Sequence, residues 1–307
     1  MKPKARVLVC DPIHEEGIKK LRQAGFEVDV KLTISHEELI DVVSNYDALI
    51  VRSRTKVTKE IIKAGKQLKI IGRAGVGLDN IDLETAEKQG IAVLNTPEAP
   101  AEAVAELTIG LMISLARHIS LADRAMKGGE WIKKKLRGWE LRGKTLGVVG
   151  LGNVGERVAR IAKAMGMKIL ITKRTPPKPE LLKKLKGEFI PLLELLQRSD
   201  VVTIHVTLTP QTHHMVGAKE LQIMKDGAFL INTSRGAVVD EKALLEALQS
   251  RKLGGAALDV HEAEPPTDLT LTGLPNVVCT CHIGAQTREA QRAASILIAE
   301  KIINSYK

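Results

Sequence analysis

Between an apolar run at 145–149 and a helix-forming stretch at 156–165 stands Gly150-Leu151-Gly152-Asn153-Val154-Gly155. No other feature constrains the fold of this chain as strongly. The first glycine permits a tight turn, and the second lets backbone approach a bound anion. The third lets the following helix pack close on the preceding strand. The helix N-terminus then offers unpaired N–H groups and the positive end of its dipole to that anion.

The motif alone is weak evidence, and its surroundings strengthen it. Five further apolar runs follow at 168–171, 201–206, 228–232, 256–259 and 277–280, with helical patterns between them. This predicts six parallel strands, a complete doubly wound sheet of the dinucleotide-binding Rossmann type. Upstream, strands are predicted at 7–10, 27–32, 48–51, 69–72 and 92–94, with helices over 15–24 and around 37–43. The apolar-periodic segment 101–124 predicts one long buried helix joining two domains. A final helix over 289–305 has no partner of its own and is expected to return to the first domain. The predicted fold class is therefore α/β, with two doubly wound parallel-sheet domains. A Rossmann cofactor domain at 98–283 is inserted in a smaller flavodoxin-like substrate domain formed by 1–97 and 284–307. Hinge closure of the cleft between them is expected to exclude water.

About 20 residues past the glycine turn, an NAD-binding domain carries an acid for the ribose 2′-hydroxyl. Here the second strand runs into Thr172-Lys173-Arg174. A carboxylate would repel a 2′-phosphate, whereas Lys173 and Arg174 would pair with one. The expected cofactor is NADP, or either of NAD and NADP; solvated loop cations are the alternative reading.

Three later segments place polar residues at strand ends, where α/β sheets bind ligands. They are Asn232-Thr233-Ser234-Arg235-Gly236, the run 259–265 containing Asp259 and Glu264, and Cys281-His282-Ile283-Gly284-Ala285. Hydride transfer to a 2-keto acid requires a cation for the carboxylate, an acid for the developing alkoxide, and a carboxylate to orient that acid. Arginine matches a carboxylate with its planar fork, and an imidazole changes charge near neutral pH. Arg235, Glu264 and His282 are the candidate catalytic set.

These segments, together with VRS at 51–53, GRAGVGLDNID at 72–82 and AELTIGLMISLAR at 105–117, resemble the D-isomer-specific 2-hydroxyacid dehydrogenases over nearly the whole chain. The resemblance implies that His282 is the general acid/base, paired with Glu264, and that Arg235 binds the substrate carboxylate and carbonyl. It implies that Asp259 accepts from the nicotinamide amide near the backbone of Thr233 and Ser234. Val206 and Gly284 are placed with them at the cofactor, beside Gly150, Gly152, Asn153, Val154 and Gly155. The backbone of Gly75, Val76 and Gly77 would meet the substrate carboxylate. Arg52, Ser53 and Arg73 would line the substrate side and hold a phosphate. The nearest pattern is that of members acting on 3-phosphoglycerate, with VRSRTKVT, NIDLETA and MKGGEWIKKKLRGWEL similar to theirs. Glyoxylate or hydroxypyruvate reduction is the alternative. In the phosphate-using members a basic residue after a Gly-x-Trp element reaches the neighbouring subunit's site, a position taken here by Lys133. Two departures stand out: Lys133 replaces an arginine, and Leu136 replaces an aromatic residue.

Composition narrows the remaining classes. The net charge is +10, yet aromatic residues make up only 2% of the chain, too few for stacking on single-stranded nucleic acid. No zinc-finger, helix-turn-helix or RNP pattern appears, so nucleic acid is not an expected partner. The charge suits either a lysine-rich solvated surface or steering of a small anionic substrate. No apolar run reaches the ~20 residues that span a bilayer, and no signal peptide is expected. Three cysteines, Cys10, Cys279 and Cys281, have no disulfide spacing and suit a reduced, cytoplasmic setting. No metal site is expected: His213 and His214 lack partnered ligands, and His205 lies within a strand as a structural residue. No regulatory domain is expected beyond residue 307. A homodimer through the 101–124 helix is expected. A dinucleotide-sensing protein without turnover is the rival from another class, and the intact Arg235, Glu264 and His282 set counts against it.

Overall fold

Alternation of side chains along short buried strands builds the first of two sheets in the computed structural model, which describes residues 4–306. Strands β1 (Arg6–Val9), β2 (Glu27–Val30), β3 (Ala48–Val51), β4 (Ile70–Arg73) and β5 (Ala92–Asn95) pair in parallel in the order β2-β1-β3-β4-β5. Val7, Val9, Ala48 and Ile50 lie on one face with Leu21 of α1 (Glu15–Gln23). Leu8, Leu49 and Val51 lie on the other, with side chains from α2 (His36–Val42), α3 (Lys59–Ala64) and α4 (Leu83–Lys88). Both faces are covered, as a parallel sheet requires, because crossover helices fall on each side.

The second sheet has seven parallel strands in the order β12-β11-β10-β9-β6-β7-β8. In chain order the unit runs α5 (Ala101–Arg117), α6 (Ile119–Lys127), β6 (Thr145–Val149), α7 (Asn153–Ala164), β7 (Lys168–Thr172), α8 (Pro179–Leu185) and β8 (Gly187–Phe189). It continues with α9 (Leu192–Arg198), β9 (Val201–Ile204), α10 (Ala218–Ile223), β10 (Ala228–Asn232), α11 (Glu241–Gln249), β11 (Leu253–Leu258) and β12 (Val277–Cys279). At the sheet's centre β9 pairs on both sides, Val202 with Leu230 and Thr203 with Val148. Strand order reverses between β6 and β9, the switch point at which such sheets bind ligands. The C-terminal α12 (Arg288–Ser305) packs on α1, β4 and β5. A Cβ on Gly17 would lie 2.2 Å from Ser295 Oγ, and one on Gly72 would lie 2.9 Å from Ile298. Contacts divide the chain into two units, one reaching Ala101 and resuming at Ala285, the other Glu102–Gly284.

Two elements differ from the predicted pattern. The sheet has seven strands rather than six, because Gly187–Phe189 forms an edge strand of only three residues with no fully buried position. Nor is 101–124 a single helix. It breaks at His118, which is left-handed at φ 54°, and the two pieces bend by 68°. Neither Gly nor Pro marks the break. The segment at 138–139 produces it: Trp139 N–H donates to the carbonyl of Ala116 at 3.0 Å, and Gly138 lies so close that a Cβ would be 2.4 Å from that oxygen. Among the described residues no single helix is long and apolar enough to cross a membrane.

Candidate active site

The three glycines of the 150–155 turn have different reasons to be glycine. Gly150 has φ 95°, and a Cβ there would meet the carbonyl oxygen of His205 at 2.5 Å. A Cβ on Gly155 would lie 2.1 Å from the carbonyl oxygen of Gly150. Both are demanded by the fold. A Cβ on Gly152 would meet nothing within 4 Å. Gly152 also caps α7 without a side-chain hydrogen bond. The helix end therefore keeps N–H groups and open ground in front of them, which is the shape a dinucleotide pyrophosphate fills. Asn153 and Val154 open the helix, and Val206 lies beside Gly150. Lys173 leans over the turn, its Nζ donating to the carbonyl of Leu151 at 3.4 Å, while Arg174 is exposed.

At the carboxyl end of β11 the chain builds an imidazole–carboxylate pair. His282 Nδ1 lies 2.7 Å from Glu264 Oε2. A carboxylate only accepts, so Nδ1 carries the shared proton and Nε2 is left for chemistry. Both side chains are nearly half exposed, open to a reactant. The other oxygen of Glu264 accepts from the backbone N–H of His261 at 3.2 Å.

Asp259 holds the histidine loop. It is fully buried, and its Oδ1 accepts from Thr280 Oγ1 at 2.6 Å and from the N–H of Ile283 at 2.8 Å. Its Oδ2 accepts from the N–H of Gly284 at 2.9 Å. None of the surface of Asp259 is exposed. The Ser234 N–H donates to Asn232 Oδ1 at 3.0 Å. Thr233 shares a 3.0 Å hydrogen bond with Thr108.

Buried Asn232 shapes the arginine loop. Besides holding Ser234, its Nδ2 donates to the carbonyl of Arg235 at 2.8 Å. The Arg235 guanidinium donates to the carbonyl of Ser234 at 2.6 Å. Gly236 then abuts the His261–Glu262 peptide, where a Cβ would fall 1.9 Å from the His261 carbonyl carbon. The arginine loop and the Glu264 segment are thus in backbone contact.

In the first unit, buried Asp11 plays the part that Asp259 plays in the second. It accepts from the N–H of Arg52 at 2.5 Å, from Thr55 Oγ1 at 2.7 Å and from Arg54 Nε at 2.9 Å. Burial alone would raise its pKa, but the donors from Arg52, Thr55 and Arg54 outweigh it and hold the carboxyl below the ordinary aspartate range. Asn80 clamps the same loop through the carbonyls of Arg52 and Thr55. The Arg52 guanidinium donates to the carbonyl of Pro12 at 3.2 Å, and Ser53 is exposed. Arg73 lies against Gly75, where a Cβ would overlap its guanidinium at 1.6 Å. Gly75 gives its own N–H to the Arg73 carbonyl at 2.9 Å. Lys133 stands exposed on a short turn, and among the described residues no hydrogen bond or ion pair links it to the His282–Glu264 pair. Sequence reasoning missed the anchoring roles of Asp11, Asn80 and Asn232. For Asp11 and Asn232 the signal that could have found them is a polar residue at or just past the end of an apolar strand; Asn80, in the loop between β4 and α4, carries no such mark.

A doubly wound sheet with an anion-ready glycine turn at its switch point, and an imidazole–carboxylate pair at a strand's carboxyl end, defines a dinucleotide-binding α/β protein. Residues 109–284 match the family model described as D-isomer specific 2-hydroxyacid dehydrogenase, NAD binding domain. The chain belongs to the D-isomer specific 2-hydroxyacid dehydrogenase family. It is 48% identical over 298 residues to a D-3-phosphoglycerate dehydrogenase of Methanocaldococcus jannaschii, covering 97% of this chain and 56% of that protein. It thus spans little more than half the length of that relative. It is also 48% identical over 303 residues to a hydroxypyruvate reductase of Thermotoga maritima, covering 97% of each. Among solved structures, a glyoxylate reductase from Paecilomyes thermophila matches with a TM-score of 0.91 and 32% identity, covering 100% of this chain and 96% of that one.

Proposed function

We propose that this protein is a D-2-hydroxyacid dehydrogenase interconverting 3-phosphoglycerate and 3-phosphohydroxypyruvate, the oxidation that opens serine biosynthesis. The observation that carries this reading is the 2.7 Å pairing of His282 with Glu264 in a chain that has the glycine turn. The nicotinamide cofactor, when bound, supplies or accepts the hydride. His282 Nε2 gives a proton to the carbonyl oxygen in reduction and takes it from the hydroxyl in oxidation. Glu264 fixes the imidazole through Nδ1. Arg235 pairs with the substrate carboxylate, and the turn of Gly75, Val76 and Gly77 offers it backbone N–H groups. We assign the phosphate to the cationic side chains Arg52, Arg73 and Lys133, with Ser53 beside them. Asp259 accepts from the nicotinamide amide near the backbone of Thr233 and Ser234. Lys173 and Arg174 extend cofactor choice to NADP, since the acid that would repel a 2′-phosphate is absent. We further read the protein as a cytoplasmic homodimer, a state supported by the exposed apolar side chains Ile119, Met126 and Trp131.

A second reading, reduction of hydroxypyruvate or glyoxylate, is favoured by Lys173 and Arg174, because NADP-linked reductases run toward the hydroxy acid. The deciding measurement is the initial rate of NADH and NADPH oxidation with phosphohydroxypyruvate, hydroxypyruvate and glyoxylate. A large kcat/KM preference for the phosphorylated acid upholds the first reading, and the reverse preference replaces it with the second.

A further inference from the structure

Behind the His282–Glu264 pair lies a second set of polar side chains with no part in the chemistry described so far. Glu262 Oε1 accepts from His214 Nε2 at 3.0 Å and from the backbone N–H of Glu241 at 3.0 Å. In return, the backbone N–H of Glu262 donates to Glu241 Oε1 at 3.1 Å. That same oxygen lies 3.5 Å from Nδ1 of His261, whose side chain is almost fully buried. The two glutamates are therefore clamped reciprocally, each side chain bound to the other's backbone.

The elements joined are distinct. His214 belongs to the segment between β9 and α10, and its own N–H donates to the carbonyl of Ala237 at 2.8 Å. Its ring stacks on that of His213 at 4.1 Å. Glu241 is the first residue of α11, where a carboxylate also meets the positive helix end. Glu262 lies two residues before Glu264, and the preceding residue, His261, gives its backbone N–H to Glu264 Oε1. Gly236 closes the assembly by resting on the His261–Glu262 peptide, one residue after Arg235.

Glu264 is nearly half exposed and follows a loop without regular structure. A side chain in that setting has rotamer freedom to lose before it can hold an imidazole. We propose that Glu262, clamped by Glu241 and His214, is a positioning residue that fixes the 261–264 segment so that Glu264 meets His282 Nδ1. The inference rests on the reading of Glu264 and His282 as the proton-handling pair. Small displacements of such a group are expensive: a misplacement of ~1 Å can lower a rate by ~10²-fold.

Glu262→Ala and Glu262→Gln test the idea in the whole chain. The amide oxygen of glutamine still accepts from Glu241 N–H and from a protonated His214 nitrogen, so Gln should restore most of what Ala removes. Expected for Glu262→Ala is a fall in kcat of about tenfold with the KM for the cofactor unchanged, and recovery to within about threefold in Glu262→Gln. The downfield proton resonance of His282 Nδ1–H, assigned by its loss in His282→Ala, should broaden or vanish in Glu262→Ala and persist in Glu262→Gln. His214→Phe, which leaves the Glu241 clamp intact, should fall between them. Wild-type kcat and an unchanged resonance in Glu262→Ala overturn the inference, as does equal loss in the Ala and Gln variants. If the enzyme reading itself fails, wild-type protein turns over none of the keto acids, while the resonance still reports whether Glu262 orders the pair.

Discussion

Asp259 holds His282 by the backbone: the N–H of His282 donates to the carbonyl of Asp259 at 2.8 Å, and the Asp259 carboxylate takes the next two N–H groups. His282 is left-handed at φ 55°, a conformation that costs a non-glycine residue about 1–2 kcal/mol. The buried carboxylate offsets that strain and fixes the direction of the imidazole.

Asp259→Asn replaces one acceptor oxygen with a donor that faces an N–H or a hydroxyl. The loss of charge-assisted hydrogen bonds should lower stability by about 1–3 kcal/mol and kcat by about tenfold or more. Urea denaturation and steady-state kinetics check both. A variant with wild-type stability and rate would show that the loop holds its shape without Asp259.

His282→Ala should lower kcat by ~10²-fold or more if the imidazole is the general acid. Glu264→Gln, which keeps a partner at Nδ1 but removes its charge, should lose less than His282→Ala while leaving cofactor affinity unchanged. Turnover in His282→Ala equal to wild type ends the assignment.

The turn glycines should separate cleanly. Gly152→Ala should fold as the wild type does, since its Cβ meets open space, yet bind dinucleotide about tenfold or more weakly. Gly155→Ala should be destabilised by about 1–3 kcal/mol, because its Cβ overlaps the Gly150 carbonyl. Thermal unfolding paired with cofactor titration reads both, and equal cofactor affinity in Gly152→Ala would remove the pyrophosphate from this turn.

Lys173→Gln combined with Arg174→Gln should raise the Kd for NADPH by about tenfold, equivalent to ~1.4 kcal/mol, and leave that for NADH within about twofold. If NADPH binds the wild type no tighter than NADH, both cations are surface charge.

His205 gives stability a pH dependence of defined sign. The residue is half-buried overall, but its ring is enclosed tightly enough that burial lowers its pKa to about 3. Thr203 Oγ1 shares a 2.9 Å hydrogen bond with its Nε2. The unfolded chain binds a proton there below ~6.5, while the folded protein does not. His205 therefore adds no penalty above about pH 6.5, and stability is lost progressively as the pH falls from there toward 3. His205→Gln should show a smaller drop in Tm between about pH 7.5 and about pH 5 than the wild type. An equal drop would mean that His205 is protonated in the folded state.

Local sequence determined much of this protein. Apolar runs of strand length, alternating with helical patterns, predicted two α/β sheets, and the 150–155 turn with its flanking strand and helix marked the anion cradle. Arg235, Glu264 and His282 were legible because each stands in a polar segment after an apolar strand. What local pattern could not carry was anything made by residues far apart in the chain. Strand β8 is too short and too polar to announce itself, and it exists because β7 offers an edge to pair with. The helix breaks at His118 because residues 138–139 take up the Ala116 carbonyl. Asp259 reads from sequence as a strand-end acid at the cofactor, and only the fold reveals its donors from Thr280, Ile283 and Gly284. Periodicity records which residues leave water, since burial of each face is a local choice repeated along the chain. The partners of a buried carboxylate are fixed only when the sheet brings separate loops within hydrogen-bond reach, and so the tertiary structure alone decided them.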